Sequence, residues 1–166
     1  DGGPCEIGVE STIVELVGPA DGSLPTVTIL RSGAISPEQV ATALGRPVRS
    51  TPTGPARAPG MLEAHYAPAT PLELFEPGSQ AEARARAAAL AAAGSRPGVL
   101  GLSRVDAPGA VVSWDAGGDE AAFARSLYRW LRQADEEGLD ALLVVLPPPQ
   151  GISLAVRDRL RRAAVR

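Results

Sequence analysis

The chain has 166 residues, 45% of them hydrophobic and 21% charged, which excludes a disordered tail and allows one ordinary domain, or a small domain joined to part of another. Its formal net charge of -3 argues against a broadly basic surface for nucleic acid. The 16 basic residues are all arginine, which excludes a phosphate-loop lysine and a Schiff-base lysine.

The cysteine and histidine content and the lengths of the apolar runs narrow the possible kinds of site and cellular compartment. The single cysteine, Cys5, and the single histidine, His65, are too few for an internal disulfide or a closed zinc site. A reducing cytoplasm suits this cysteine usage, and neither a membrane-spanning run nor a signal peptide is evident. We therefore predict a cytoplasmic protein with no membrane partner. Because the chain opens at Asp1 without a methionine, we expect it to begin inside a longer protein.

Residues 1–45 predict a hairpin followed by one helix. Residues 9–17 are rich in β-branched side chains and partly alternate, as strands do, and residues 26–30 form a second strand candidate. The intervening residues 18–25, rich in Gly, Pro, Asp and Ser, predict the loop of an antiparallel hairpin. One hairpin and one short helix are too small to fold as a domain.

The helix after this hairpin has clear signals at both ends. Ser36 and Gln39 predict a capping box, with Pro37 at the first helical position. Gly45 predicts the end of the helix. Its predicted buried stripe consists of Val40, Ala43 and Leu44.

Residues 46–68 predict a linker. Its first part, 46–60, contains four prolines and little apolar content, which favours an extended, semi-rigid segment. Its second part contains His65 and Tyr66. Linkers usually avoid such side chains unless they dock on something, so this pair is a candidate site.

Residues 69–166 alternate between strand and helix patterns. The predicted strands are 72–75, 98–102, 110–114 and 141–146. The predicted helices are 80–93, 119–136 and 152–165. The inward-facing residues of the last two helices are predicted to be Phe123, Leu127, Trp130, Leu131, Ala134, Val156, Leu160, Ala163 and Ala164. This alternation predicts a small three-layer α/β domain with a mostly parallel sheet.

Four short clusters could bind a ligand. Residues 10–12, Glu-Ser-Thr, offer a carboxylate and two hydroxyls, although an exposed strand face is the simpler interpretation. Residues 31–33, Arg-Ser-Gly, offer a forked guanidinium suited to phosphate and a glycine that lets a backbone approach closely; a surface arginine beside a turn is the alternative. His65 and Tyr66 could donate to phosphate and stack on a base, or only pin the linker. Gly117-Gly118 could bind an anion, but the acidic residues that follow favour a plain turn and cap.

Several segments, read in order, resemble the two-domain threonylcarbamoyl-AMP synthases of the YrdC-like family. The matching segments are 1–5, 8–14, 29–35, 58–61 and 65–68, followed by 129–135 and 158–164. The family usually has proline where this chain has Ser32. The resemblance implies that residues 1–45 end a YrdC-like α/β catalytic domain, residues 46–68 close the active site, and residues 69–166 form an accessory Rossmann-like α/β/α domain.

The resemblance also implies a reaction. The family are nucleotidyltransferases that convert threonine, bicarbonate and ATP into threonylcarbamoyl-AMP and pyrophosphate, for the threonylcarbamoyladenosine modification of tRNA. Ser11 would then contact threonine, Arg31 the phosphates of ATP, and Tyr66, with His65 beside it, ATP as well. ATP with Mg2+ would be a substrate, and no tightly bound cofactor is implied. Downstream proteins that transfer the threonylcarbamoyl group to tRNA would be partners.

Part of the family's site is not in this sequence. The family's lysine–arginine phosphate motif and its serine–asparagine pair are missing, so we expect the chain to be inactive on its own. An alternative function is a non-catalytic module, at 69–166, that binds a nucleotide, tRNA or a protein partner. RNA contact would then fall to four arginines of the last helix, although a solvated helix face is the simpler interpretation. These arginines are Arg157, Arg159, Arg161 and Arg162.

Overall fold

A computed structural model describes residues 5–18, 20, 23–50 and 67–165, which form two sheets and four helices. The smaller sheet is the predicted hairpin, with strands β1 (Ile13–Val17) and β2 (Thr26–Arg31) paired antiparallel. On its other side β2 meets Arg49, whose backbone accepts from the amide of Ile29 at 2.7 Å and donates to the carbonyl of Val27 at 2.9 Å.

The first strand begins later than the sequence indicates. Residues 9–12 have strand-like composition but lie outside β1. Their backbone packs against Gly33 instead of continuing the ladder, and the Glu10 side chain turns towards the rest of the molecule. Tertiary contacts therefore override the β propensity of this segment.

Helix α1 (Pro37–Leu44) has the predicted caps but not the predicted buried stripe. Ser36 Oγ accepts from the Gln39 amide at 3.3 Å, Gln39 Oε1 accepts from the Ser36 amide at 2.8 Å, and Gly45 adopts a φ of 64°. No residue of α1 is buried, and Leu44 is 45% exposed. The stripe prediction was wrong because no described element covers this side of the helix.

The larger sheet has four strands, all paired in parallel, in the order β3-β6-β4-β5. The strands are β3 (Leu72–Phe75), β4 (Pro97–Gly101), β5 (Val112–Asp115) and β6 (Ala141–Val145). The helices are α2 (Gln80–Ala92), α3 (Glu120–Glu136) and α4 (Ser153–Ala164). Each lies within two residues of its predicted bounds, and the apolar β6 is an interior strand as predicted.

Helices cover both faces of this sheet. On one face the small residues Ala83 and Ala87 of α2 pack close to Val99, Leu143 and Val145. On the other face α3 and α4 form the main core. Its buried side chains include Leu100, Phe123, Leu127, Trp130, Leu131, Leu142, Val144, Val156 and Leu160. The predicted α/β/α architecture is therefore confirmed for this part of the chain.

Helix α4 differs from its prediction at two arginines. Val156, Leu160 and Ala163 are buried as predicted, whereas Ala164 is only partly buried. Arg157 and Arg159 are also buried, at 5% and 4% exposure, so the solvated-face interpretation is wrong for both. Hydrogen-bonded partners make this burial possible, because an unpaired guanidinium would be costly to bury. None of the helices that the structure describes combines the length and the apolar composition of a membrane-spanning helix.

Candidate functional site

The structure brings together two of the residues that the sequence singled out. Arg31, at the end of β2, donates from Nε to the Ser11 carbonyl and from Nη2 to Ser11 Oγ, both at 3.1 Å. The two bonds hold the guanidinium across the segment just before β1. A hydroxyl and a fixed positive charge therefore lie side by side, which suits a ligand with polar and anionic groups.

The loop after Arg31 is locked onto the same segment. A Cβ on Gly33 would lie 2.3 Å from both the Glu10 carbonyl oxygen and the Thr12 nitrogen, so only glycine permits this approach. Thr12 Oγ1 donates to the Ile35 carbonyl at 2.7 Å and accepts from the Ile35 amide at 3.1 Å. Residues 10–12 and 31–35 thus form one rigid unit around Ser11.

Glu10 connects this unit to the parallel-sheet part of the chain. Its carboxylate accepts from Arg159 Nε of α4 at 2.8 Å and from the Tyr128 hydroxyl of α3 at 3.2 Å. Arg159 also donates from Nη2 to the Ser32 carbonyl at 3.3 Å. The exposed-strand interpretation of residues 10–12 is therefore wrong for Glu10, whose side chain is only 28% exposed.

The electrostatics of this contact favour the ionised carboxylate. Burial opposes the charge of Glu10, but the hydrogen bond and charge of Arg159 outweigh it and lower the pKa of Glu10 below its ordinary value. Burial, together with the Glu10 charge, raises the pKa of Tyr128 to about 12, so its hydroxyl stays a donor. Burial also opposes the charge of Arg159, yet Glu10 and Asp158 raise its pKa.

The segment before Glu10 lies directly on α3. Gly8, at a φ of 77°, approaches so closely that a Cβ there would lie 2.2 Å from Arg125 Cα. Val9 packs against the main core. Beside this contact lies a groove of about 330 Å³. Its lining residues are Cys5, Gly8, Val9, Glu10, Tyr128 and Arg132.

The remaining predicted clusters have different outcomes. His65 and Tyr66 lie outside the described residues, so their predicted roles stay predictions. Gly117-Gly118 is a turn before a plain cap, because Asp119 Oδ1 accepts from the Ala121 and Ala122 amides at 2.8 and 3.2 Å. In the part of the chain that the structure describes, no three His, Cys, Asp or Glu side chains are placed to hold a metal ion.

Comparison with known proteins identifies the chain's family. The model of the C-terminal domain of threonylcarbamoyl-AMP synthase matches residues 35–165. The chain belongs to the threonylcarbamoyl-AMP synthase family. The threonylcarbamoyl-AMP synthase of Pyrococcus abyssi is 33% identical over 174 residues, covering 99% of this chain and 48% of the relative. That of Bacillus subtilis is 34% identical over 172 residues, covering 99% and 47%.

Solved structures of the family agree with the fold. The crystal structure of Sua5 from Pyrococcus abyssi complexed with L-threonine has a TM-score of 0.81 and 30% identity, covering 99% of this chain and 48% of that one. A variant of the same protein, with an adjacent histidine and tyrosine replaced by alanine, also scores 0.81 at 29% identity, covering 99% and 47%. The chain spans about half the length of the relatives it matches.

Two residues that bond to Glu10, Arg159 and Tyr128, were not among the site residues predicted from the sequence. Arg159 lies three residues after Val156 and four before Ala163, so it occupies the buried stripe of α4. That spacing is a usable signal of burial, but four arginines on one helix favour a solvated face when they are considered together. Tyr128 gave no comparable signal, because its partner lies 118 residues away in the sequence.

Proposed function

We propose that this chain supplies part of the threonine and ATP site of a threonylcarbamoyl-AMP synthase. The whole enzyme would join threonine, bicarbonate and ATP into threonylcarbamoyl-AMP, releasing pyrophosphate and water. The observation that supports this most is the pair formed by Ser11 and Arg31, because two residues assigned to the two substrates by family resemblance are hydrogen-bonded to each other.

Ser11 would bind the threonine substrate. Its side chain is exposed, and Arg31 holds its hydroxyl in one place. A hydroxyl next to a guanidinium can contact both the polar and the carboxylate group of an amino acid. The relative solved in complex with L-threonine, which is similar along nearly the whole of this chain, supports this assignment.

Arg31 would contact the phosphates of ATP. Phosphoryl chemistry on ATP needs positive charge near the transferring group, and arginine provides it at any physiological pH. The bonds to Ser11 restrict the guanidinium, which reduces the entropy lost when a phosphate binds. ATP would enter as a substrate with its Mg2+ ion.

His65 and Tyr66 would close over the bound nucleotide. A lid would protect the product, because an acyl adenylate hydrolyses readily when water has access. In the solved double-alanine variant of the Pyrococcus abyssi protein, the replaced residues are likewise an adjacent histidine and tyrosine, which supports a shared motif. Proteins that pass the threonylcarbamoyl group to tRNA would then use the product.

Pyrophosphate release with ATP, threonine and bicarbonate tests this function. The assay compares the 166-residue chain with the full-length gene product that contains it. We expect threonine-dependent release by the full-length protein only, because the chain lacks the family's lysine–arginine motif. Release by neither would contradict the proposal and would favour a binding module.

The module alternative has lost part of its support. Two of the four arginines assigned to RNA, Arg157 and Arg159, are buried. The other two form ion pairs, Arg161 with Glu76 at 3.3 Å and Arg162 with Asp158 at 3.0 Å. No observation on the described residues favours RNA contact, although salt-dependent RNA affinity lost on replacing both Arg161 and Arg162 would support this alternative again.

A further inference from the structure

We propose that Arg159 is a positioning residue for the substrate site: from α4 it holds, through Glu10 and the Ser32 carbonyl, both segments that carry Ser11 and Arg31. The parallel-sheet part of the chain would then act on substrate affinity without touching substrate. This inference rests on the proposed function for the identity of the substrate. The clamp, by which we mean the hydrogen bonds from Arg159 to Glu10 and to the Ser32 carbonyl, can be tested separately.

The geometry of one guanidinium carries the proposal. Arg159 donates Nε to the Glu10 carboxylate at 2.8 Å and Nη2 to the Ser32 carbonyl at 3.3 Å. Glu10 immediately precedes Ser11, and Ser32 immediately follows Arg31. A single planar group therefore bonds to the neighbours of both proposed substrate residues.

Burial strengthens the hydrogen bonds that Arg159 donates. The Arg159 side chain is 4% exposed, so its hydrogen bonds operate in a low-dielectric environment where charged bonds are strong. Its third nitrogen, Nη1, donates to Asp158, whose carboxylate also accepts from Arg162 Nε at 3.0 Å. With Nε and both Nη atoms engaged, the guanidinium has one orientation.

Two further contacts give the clamp a fixed base. Tyr128 donates to Glu10 at 3.2 Å from α3, so the carboxylate is held from two helices. Gly8 rests on the backbone of Arg125 at a distance that no other residue permits. The segment that leads into Ser11 is thus held in place by contacts with α3 and α4, which belong to the main core.

Amide hydrogen exchange on the 166-residue chain tests the clamp. We compare Arg159→Met, which keeps the aliphatic stem, with Arg84→Met, an exposed arginine of α2 on the opposite face of the sheet. Arg159→Met should speed exchange in residues 10–12 and 31–33 by a factor about tenfold or more larger than the change in β6, which reports only the loss of global stability. Unchanged exchange in these two segments would overturn the proposal, as would an equal increase throughout the sheet.

Kinetics of the full-length protein test the effect on substrate. Arg159→Met should raise the KM for threonine by about tenfold, a larger factor than its effect on kcat, and Arg84→Met should change neither. Arg159→Lys, which keeps a charge opposite Glu10 but loses the fork, should recover part of the loss. Glu10→Gln combined with Arg159→Met should cost no more than Arg159→Met alone. An unchanged KM for threonine would overturn the positioning role.

The two levels of the proposal can fail separately. If the unsubstituted full-length protein shows no threonine-dependent pyrophosphate release, the proposed function fails and the substrate role of Arg159 fails with it. If release occurs and Arg159→Met lowers thermal stability but leaves the KM for threonine unchanged, the proposed function stands and Arg159 has only a structural role. Faster exchange in the two segments together with a raised KM supports both.

Discussion

Two buried arginines, two residues apart on α4, serve different parts of the molecule. Arg157 donates to the Pro147 carbonyl at 2.8 Å and to Glu76 at 2.6 Å, so its bonds stay within the parallel-sheet part. Arg159 reaches out of that part to Glu10 and Ser32. Replacing Arg157 should therefore affect the stability of the parallel-sheet part, whereas replacing Arg159 should affect its contact with the segments around Ser11 and Arg31.

The first prediction concerns Arg31. Arg31→Ala in the full-length protein should weaken the use of ATP by about 2 kcal/mol or more, because it removes the charged donor that we propose contacts the phosphates. The measurement is kcat/KM for ATP in the pyrophosphate assay. Arg49→Ala serves as the matched control, since this exposed arginine lies beside the same strand and pairs with it through its backbone. An unchanged ATP dependence would remove Arg31 from the site.

The second prediction concerns pH. Because the folded-state pKa of Glu10 is lowered, its contribution to stability is complete above the ordinary glutamate pKa of about 4.3 and is lost as the pH falls through the lowered value. At neutral pH Glu10→Gln should cost about 2 kcal/mol, since it removes a charged bond to buried Arg159.

Urea unfolding measured from neutral pH down to pH 3 tests this contribution. The gap in unfolding free energy between the unsubstituted chain and Glu10→Gln should narrow as the pH falls. Glu6→Gln, at an exposed glutamate of the same segment, is the control for the loss of one negative charge. A gap that stays constant down to pH 3 would contradict an ionised Glu10 as the source of the stabilisation.

At the scale of elements, close backbone approach fixes the loop after β2 to the segment before β1. Gly33→Ala would place a Cβ about 2.3 Å from backbone atoms, which have no freedom to move aside. We expect a loss of about 2 kcal/mol or more in the unfolding free energy. Gly18→Ala is the matched control, because nothing lies within 4 Å of its added Cβ. Equal stability of the two variants in urea would show that the loop is not locked.

The elements themselves were largely predictable, because their signals are local. Ser36, Gln39 and Gly45 specify the ends of α1 through bonds within four residues, and the spacing of Phe123 and Leu127 marks the inner face of α3. The buried stripe of α1 was wrong because burial depends on a covering element, not on the helix. Arg159 was missed because charge usually indicates a solvated face, and its partners are 127 and 149 residues away.

At the scale of the whole molecule, the candidate site depends on contacts that no local pattern contains. Family resemblance assigned Ser11 and Arg31 to two different substrates, but neither the resemblance nor their spacing of 20 residues predicted the hydrogen bond between them. The hydrogen bonds from Tyr128 and Arg159 to Glu10 join residues that are far apart in the sequence. Sequence reasoning therefore singled out Ser11 and Arg31 but did not predict the contacts that hold them in place.

The last prediction follows from the unequal size of the two sheets. The four-stranded sheet is covered by helices on both faces, and β6 is buried along its whole length. The two-stranded sheet leaves Leu16 of β1 63% exposed, and isolated hairpins are only marginally stable. Amides of β1 should therefore exchange through a local opening whose free energy is about 2 kcal/mol or more below that of global unfolding, whereas β6 should exchange only globally.

Native-state hydrogen exchange in increasing urea measures both free energies in one experiment. The opening of β6 should depend on urea as strongly as global unfolding does, while that of β1 should depend on it weakly, because little surface is exposed when a hairpin opens. Arg159→Met should lower the opening free energy of β1 further, since the clamp at Glu10 stabilises the segment that leads into it. A common opening free energy for β1 and β6 would instead mean that the hairpin and the parallel sheet unfold as one cooperative unit.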